Sequence, residues 1–220
     1  MSQRFKKNLV LLILFVFPVL TYLFFASGVN NFARLPIVKE KISEIEVINQ
    51  PQVRLKNKIT VLGYWGHLTQ EMQVQAFNLK EIIYSRFNGF KDFQFVMFID
   101  DKALEEAQRL IQILSNRDDQ TGFSNWHFIP VSLQEMTQHH ASLNTPRLLD
   151  DKGSTPYVYI IDKKLNLRGR DDPKKGEKVF GYDAQSIVEL SDKMVDDVKV
   201  LLAEYRLALK EKSPNNEITE

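Results

Sequence analysis

The pattern of apolar and polar positions divides the chain into three parts. An uninterrupted apolar run from Leu9 to Ala26 comes first, directly after the basic residues Arg4, Lys6 and Lys7. From Ile59 to Leu209, short apolar runs of strand length alternate with segments whose apolar residues recur every three or four positions, which is the helical period. This pattern predicts strands at 59–64, 93–99, 126–131 and 157–161 and helices at 69–87, 103–114, 132–143 and 184–209.

The order of these elements predicts an α/β fold with a central mixed sheet flanked by helices. A strand–helix–strand unit, a linking helix, and a strand with a hairpin partner at 165–170 closed by the last helix form the thioredoxin arrangement, although other small α/β sandwiches share this order. Ser132 and Glu135 have the spacing of a capping box at the start of a helix. We also predict a short strand within 39–48 and a charged loop over 171–177.

The first 30 residues are predicted to form a cytoplasmic stub and one transmembrane anchor. The eighteen residues from Leu9 to Ala26 would span about 27 Å as a helix, enough for a bilayer core, and Pro18 would kink it. Because the basic residues precede this run, the positive-inside rule puts the N-terminus in the cytoplasm and the domain in the periplasm. A cleaved signal peptide is the alternative, but its apolar region is usually roughly 7–15 residues long, and Phe24-Phe25-Ala26 is a poor cleavage site.

The lipid bilayer of the inner membrane is therefore the first predicted partner. Beyond the anchor, we predict a juxtamembrane segment at 31–58, a compact domain at 59–210 and a polar tail at 211–220. The 29 Lys and Arg residues almost balance the 28 Asp and Glu residues, so no basic field predicts a nucleic-acid partner.

The chain contains no cysteine, which excludes disulfides, thiol catalysis and metal sites built on thiolates. It also lacks the P-loop, G-x-G-x-x-G, G-x-S-x-G and H-E-x-x-H motifs. Its Asp-Asp pairs lie mostly at predicted loops and element ends, where Asp caps and turns the chain. We therefore predict a protein that is not an enzyme and binds no cofactor.

Four histidines are the remaining candidates for a metal site. His67 is four residues before Glu71, but it is predicted to lie in a loop rather than on the same helical face. His139 and His140 are adjacent, so a helix would point them about 100° apart and away from a common ion. His127 lies in a predicted strand, and we interpret it as a structural or surface residue.

Several segments resemble a known family. Thr155-Pro156 directly precedes a predicted strand, as a cis-proline does in thioredoxin-like proteins. In order and spacing, other segments resemble the Trp-His-Phe stretch, the hairpin and the closing helix of the SCO/SenC family, the membrane-anchored copper-delivery proteins of cytochrome oxidase assembly. These segments are 125–129, 162–169, 181–183 and 195–205. The resemblance extends from Leu35 to about Leu209 and implies a thioredoxin-like fold on a membrane anchor.

The chain departs from that family at the copper site. The family carries two cysteines after its first strand and a histidine before its fourth, and Gly66, Thr69 and Ser154 occupy the corresponding positions here. Soft Cu(I) sites need thiolate or thioether ligands, which these residues lack. The resemblance therefore implies the scaffold and the anchor, but neither copper binding nor redox activity.

The end of the sheet where that family has its copper ligands could still contact a protein in this chain. Trp65, His67, Thr155 and Pro156 would lie together there and form a groove for an extended partner peptide. Alternatively, Trp65 fills the space that the lost site leaves.

We therefore expect a non-catalytic, membrane-anchored accessory or assembly factor that acts by protein contact, with subunits of a respiratory or other envelope complex as partners. One alternative is a copper-handling protein that uses His67 and Met72 as ligands. The other alternative is a chaperone that binds peptides in the groove beside Pro156.

Overall fold

The structure is a computed structural model that describes residues 3–26, 34–45, 53–115, 122–172 and 176–212. The chain forms two compact units, of which the first ends at Ala33 and the second begins at Arg34.

The helices lie in both units, and the strands lie in the second. The helices are α1 (Gln3–Ala26), α2 (Gln70–Leu79), α3 (Ser85–Phe87), α4 (Leu104–Ser115), α5 (Leu133–Ser142), α6 (Ile187–Glu189) and α7 (Val195–Lys212), with π-helical turns at Lys80–Tyr84 and Leu190–Met194 and a 3₁₀ turn at Asp101–Ala103. The strands are β1 (Ile37–Lys39), β2 (Ile59–Gly66), β3 (Phe93–Asp100), β4 (Trp126–Val131), β5 (Ser154–Ile161), β6 (Leu167–Arg168), β7 (Arg170–Asp172), β8 (Glu177–Val179) and β9 (Tyr182–Asp183).

Within the first unit the structure describes α1, which continues through Pro18. Its Leu12, Phe15 and Phe17 side chains are exposed. A bilayer core requires about 20 apolar residues in a row. Within the part of the chain that the structure describes, no helix is both long enough and apolar enough to cross a membrane. The predicted transmembrane helix therefore has no support from the structure.

The second unit is built on the predicted central mixed sheet. Its strands follow the order β1-β6-β5-β2-β3-β4, with β9 paired to β5. Strands β2, β3 and β4 are parallel, whereas β5 runs antiparallel to β2. Every residue of β2 is buried because helices and loops cover both faces of the sheet, and this burial explains its continuous apolar sequence.

Two hydrophobic clusters lie on opposite faces of the sheet. Helices α2, α4 and α7 cover the first face, where Ala76, Leu110 and Val198 are buried. Helix α5 and the chain before β2 cover the second face, where Ile42 and Leu55 are buried. The compact unit therefore includes part of the predicted juxtamembrane segment.

Several predicted elements are confirmed, including β2, β3, β4 and the capping box of α5. The hydroxyl of Ser132 accepts from the Glu135 N–H at 3.3 Å, and the Glu135 carboxylate accepts from the Ser132 N–H at 2.9 Å. The last helix begins at Ile187 instead of 184 because the Ala184 N–H is bonded to Pro156 O and Ser186 caps the helix.

Other predictions are wrong, or fall wholly or partly on residues outside the described ones. The short strand within 39–48 is instead β1, which ends at Lys39, and residues 46–52 lie outside the described residues. The predicted charged loop at 171–177 contributes to the β7–β8 hairpin, in which Asp171 pairs with Lys178. The peptide bond before Pro156 is trans, and Thr155 and Pro156 lie inside strand β5 instead of preceding it. The predicted polar tail lies outside the described residues from 213 onward.

Candidate functional site

Gly66 occupies the position that the sequence resemblance aligns with the first cysteine of the SCO/SenC motif. It lies where β2 ends in a bulge. Its φ of +46° is in the left-handed region that favours glycine. A Cβ atom at this position would overlap the backbone oxygen of Lys152 and would lie 2.8 Å from Ser154 Oγ. Because backbone atoms cannot turn aside as a flexible side chain does, the local fold has no room for a cysteine here.

Ser154, at the position of the family's histidine, is only 6% exposed and pairs with Trp65 across β2 and β5. Its hydroxyl donates to Trp65 O at 2.7 Å. Its backbone N–H donates to Asp150 Oδ1 at 2.7 Å, within the turn that also supplies Lys152. The Ser154 hydroxyl therefore ties β5 to the end of β2 instead of facing a ligand.

Thr69, at the second predicted cysteine position, is the N-cap residue of α2. Its side chain makes no capping bond, and its buried Oγ1 has no hydrogen-bond partner among the described residues. The structure thus brings Gly66 and Ser154 into contact distance, while Thr69 starts the next helix. None of the three offers a soft ligand.

Trp65 is fully buried, and its ring packs 6.3 Å from the ring of Trp126 and 5.8 Å from that of Phe128. Its Nε1 has no partner among the described residues. Thr155 is also buried, Pro156 is half-buried and His67 is exposed. The four predicted groove residues therefore belong to β2, β5 and the residue that follows β2. Only His67 and, in part, Pro156 reach the surface.

Gln75 is a buried polar residue that sequence reasoning missed. It is fully buried on α2, and neither its Nε2 nor its Oε1 has a partner among the described residues. A buried amide without hydrogen bonds costs about 1–3 kcal/mol. Its position three residues after Met72 and four before Leu79, on the apolar face of the helix, is the signal that could have revealed it.

A second missed feature is a cluster of two tyrosines and two histidines on the second face of the sheet. The Tyr64 hydroxyl lies 2.7 Å from His139 Nδ1, and His139 Nε2 lies 3.0 Å from the backbone oxygen of Ser43. Since that oxygen can only accept, Nε2 carries the proton and Tyr64 donates to Nδ1. His140 Nε2 lies 3.3 Å from the Tyr159 hydroxyl.

Burial controls the charge of this cluster. It lowers the pKa of both His139 and His140 to about 4, so both rings are neutral at pH 7. For His139, the nearby Ser43 carbonyl and Glu44 act in the opposite direction without offsetting the loss of solvent. Burial also raises the pKa values of Tyr64 and Tyr159. The cluster therefore joins α5, the sheet and the Ser43 segment as a neutral network.

His67 and Met72, the ligands of the copper-handling alternative, differ in exposure. His67 is exposed at the end of β2, whereas Met72 is 6% exposed and belongs to the core of the first face. Within the described residues, no group of three or more His, Cys, Asp or Glu side chains has the geometry to hold a metal ion.

No protein-family model and no curated protein matches this sequence. Among solved structures, the chain is similar to an SCO1/SenC family lipoprotein from Bacillus anthracis, with 19% identity, a TM-score of 0.52, and coverage of 77% of this chain and 99% of that one. It is also similar to BsSco, described as a member of the Sco family of cytochrome c oxidase assembly proteins, with 12% identity, a TM-score of 0.50, and coverage of 77% and 98%. At these identities the similarity establishes the fold alone, and it agrees with the sheet order: the second unit has a thioredoxin-like fold.

Proposed function

We propose that this protein is a non-catalytic, thioredoxin-like accessory or assembly factor that acts by contact with subunits of a respiratory membrane complex. The observation that carries this proposal is the closed end of β2. Gly66 has no room for a side chain beside Lys152 O, and the Ser154 hydroxyl is bonded to Trp65 O. The fold keeps the sheet that would present a redox site, while the site itself is filled by its own backbone.

The type of complex is suggested by the similar structures. BsSco is described as belonging to a family of cytochrome c oxidase assembly proteins. A protein with this fold and no thiol could take part in such assembly by holding or orienting other subunits, without transferring a metal or electrons. We therefore propose a cytochrome oxidase or a related envelope complex as the partner.

Attachment to a membrane is part of the proposal and rests on the sequence. The run from Leu9 to Ala26 contains no charged residue, and Arg4, Lys6 and Lys7 precede it. We propose that α1 holds the domain at the inner membrane; the single-pass topology with a periplasmic domain stays a prediction. In an alkaline carbonate wash, the full chain should remain with the membranes, whereas a chain beginning at Arg34 should be released. Release of the full chain would contradict this part.

The central experiment compares cells with and without the protein. Loss of the protein should lower the amount of assembled oxidase, and the full chain should restore it. The tagged full chain, purified from detergent-solubilised membranes, should enrich oxidase or other respiratory subunits over a tagged, unrelated membrane protein. Normal oxidase levels without the protein, together with no enriched respiratory subunit, would overturn the proposal.

A matched variant tests the copper-handling alternative. His67→Gln combined with Met72→Leu removes both candidate ligands, and it conserves side-chain volume at the buried position. This double variant should restore oxidase assembly as well as the wild type does. Failure to restore assembly, with tight copper binding by the wild-type domain that the variant loses, would favour the copper-handling function instead.

A further inference from the structure

One end of the central sheet carries a concentrated positive charge. It is the end where β2 and β3 begin and β5 finishes, about 23 Å along β2 from Gly66. Three segments meet there, 53–58, 88–92 and 163–166, and their sequences contain six Lys and Arg residues and one carboxylate, that of Asp92. The six cations are Arg54, Lys56, Lys58, Lys91, Lys163 and Lys164. Since the whole chain has 29 basic and 28 acidic residues, this basic end is a local feature.

Hydrogen bonds and ion pairs join the three segments of the basic end into one surface. Lys163 Nζ lies 2.6 Å from Asp92 Oδ2, and Lys58 Nζ lies 3.9 Å from Asp92 Oδ1. Lys58 Nζ also donates to Lys91 O at 3.0 Å, and the Asn57 N–H donates to Lys163 O at 3.0 Å. The hydrogen bond from Lys163 is the largest cause that lowers the pKa of Asp92, and the charges of Lys58 and Lys91 act in the same direction.

The other carboxylates near the basic end are already engaged. Glu44 accepts from two backbone N–H groups of the 53–58 segment, at 2.7 and 2.8 Å. Asp162 is 1% exposed, and it shares the buried guanidinium of β6 with Glu204. Glu40 directly precedes Lys41, so this pair adds no net charge. A positive excess therefore remains when these groups are counted. The exposed cations that contribute to it are Arg54, Lys56, Lys91 and Lys164.

An exposed aromatic side chain lies within the basic end. Phe90 is 46% exposed and directly precedes Lys91 in the turn before β3. Its backbone is fixed, because its N–H donates to Phe87 O and its oxygen accepts from the Phe93 N–H, both at 3.0 Å. Aromatic rings enter the headgroup region of a bilayer, and clustered lysines are attracted to anionic lipids. An exposed ring among lysines is therefore suited to a lipid surface.

We propose that the basic end docks on the anionic headgroups of a bilayer, with Phe90 entering the interface and the lysines facing the phosphates. The inference rests on the proposed membrane attachment and adds which surface of the domain meets the lipid. An acidic protein fits less well, because lysine is depleted at protein interfaces, and five of the six cations are lysines. Lysine binds phosphate as a point charge without a fixed geometry, which suits a fluid layer of headgroups.

The first test places the full chain in nanodiscs. Because the chain has no cysteine, Phe90→Cys provides a single site for the environment-sensitive dye NBD. With about 30% phosphatidylglycerol in phosphatidylcholine, the emission should be blue-shifted and severalfold brighter than in phosphatidylcholine alone, and about 0.5 M salt should reverse the change. The control is Glu71→Cys, at an exposed position on α2 toward the opposite end of β2, where the dye should not respond. Equal emission from position 90 in both bilayers overturns the inference.

A charge variant tests whether the lysines of the basic end bind the headgroups. Lys56→Gln, Lys91→Gln and Lys164→Gln together should lower the ratio of docked to undocked protein about tenfold or more. The matched control, which has the same net charge, removes three exposed lysines elsewhere: Lys102→Gln, Lys152→Gln and Lys199→Gln. It should dock as the wild type does. Thermal unfolding of both variants checks that the fold is intact. Equal weakening by the two triple variants would show that net charge acts instead of this surface, and the inference would fail.

A photocrosslink identifies what touches the surface in cell membranes. Benzoylphenylalanine at position 90 should form a lipid adduct on irradiation, read by mass spectrometry. A crosslinked acidic segment of another protein, or a peptide of this same chain, overturns the inference. If the full chain stays with carbonate-washed membranes but position 90 does not respond to anionic lipid, the inference fails while the proposed attachment and function stand. If the full chain is released by the wash, the proposed attachment fails and the inference fails with it.

Discussion

Gly66 shows at the residue scale why the site cannot be understood from residue types alone. In the sequence, glycine at a cysteine position is simply a missing ligand. The structure adds a positive φ and a carbonyl oxygen of Lys152 in the space that a Cβ would occupy. Both depend on how β2 ends against the turn before β5, which no local sequence pattern encodes.

Substitution of Gly66 should therefore be costly even when it is small. Gly66→Ala should lower the free energy of unfolding by about 2 kcal/mol or more, because it combines a left-handed backbone with a clash against backbone atoms. Urea unfolding of the purified domain measures this. Gly89→Ala is the control, since a Cβ there meets nothing within 4 Å and should change stability by less than about 1 kcal/mol. Equal effects of the two substitutions would contradict the closed-site interpretation.

The buried histidines should make the domain sensitive to mild acid. The pKa of His139 and of His140 is about 4 in the folded protein and near 6.5 when unfolded. Between these values the unfolded chain binds more protons than the folded one. The contribution of the two neutral histidines to the free energy of unfolding is therefore fully present above about pH 6.5 and is lost as the pH falls toward 4. The expected loss is on the order of 3 kcal/mol for His139 and smaller for His140, whose ring is less completely shielded from solvent. His127 adds in the same direction, because burial lowers its pKa too.

Urea unfolding at a series of pH values, with matched variants, tests this dependence. His140→Phe should reduce the slope between pH 4 and pH 6.5, because it removes one titrating group while keeping a ring against Tyr64, whose ring centroid lies 4.9 Å away. His67→Gln should leave the slope unchanged because His67 is exposed and outside the cluster. A flat stability profile over this range in the wild type would refute the assignment.

At the element scale, strongly periodic segments were predictable and short ones were not. The buried strands β2 and β3 and the helix capped by Ser132 carry their own signals, namely continuous apolar runs and a capping box. Strand β1 and each of the two strands of the β7–β8 hairpin are only three residues long. Their sequences are polar or mixed, and pairing partners distant in the chain decide their structure, as with Ile37 and Arg168.

Strand β4 illustrates how an element can be protected at the edge of the sheet. Among the described strands it is the last in the order, with β3 alone as its neighbour. Because the Phe95 N–H donates to Asn125 O, the odd-numbered residues of β4 make the bonds to β3, and even-numbered residues direct their backbone groups outward. Pro130 is one of these, and it has no N–H to offer another strand. Edge prolines of this kind oppose pairing between molecules.

Replacement of this proline should therefore promote self-association. Pro130→Val adds an outward N–H to an apolar edge strand and should shift the domain toward dimers or larger species as concentration rises, measured by sedimentation velocity. Pro146→Val makes the same chemical change in an exposed loop residue and should leave the domain unchanged. A Pro130→Val protein that remains as monomeric as the control would show that other features protect this edge.

At the scale of the whole molecule, the chain before β2 is an integral part of the domain. Arg168, only 4% exposed on β6, donates from Nε to Leu35 O at 2.9 Å, and its two terminal nitrogens bind Asp162 at 2.9 Å and Glu204 at 2.5 Å. One buried guanidinium thus joins the start of the domain, the end of β5 and the last helix. The Glu44 carboxylate also accepts from the backbone N–H groups of Leu55 and Lys56.

This role is hard to predict from the sequence, because the segment before β2 has no long periodic pattern and contains Pro36 and Pro51. Its buried residues are spaced irregularly, as in Leu35, Ile42 and Leu55, so neither helical nor strand periodicity marks them as core. The predicted start of the compact domain at residue 59 was placed at the first strong strand pattern. The structure shows that irregular chain also covers the second face of the sheet.

Two fragments should distinguish these domain boundaries. A chain of residues 34–212 should fold and unfold cooperatively, whereas residues 59–212 should not, because Leu35, Ile42 and Leu55 each contribute about 1.5–3 kcal/mol by burial and typical domains are stable by only about 5–15 kcal/mol. The shorter fragment also leaves part of the hydrogen bonding of Arg168 unmet. Circular dichroism melts and limited proteolysis measure the difference. Both fragments end at residue 212, so any difference between them comes from residues 34–58. If residues 59–212 melt cooperatively at the temperature of the longer fragment, the segment before β2 is only an attached arm and the core on the second face is sufficient without it.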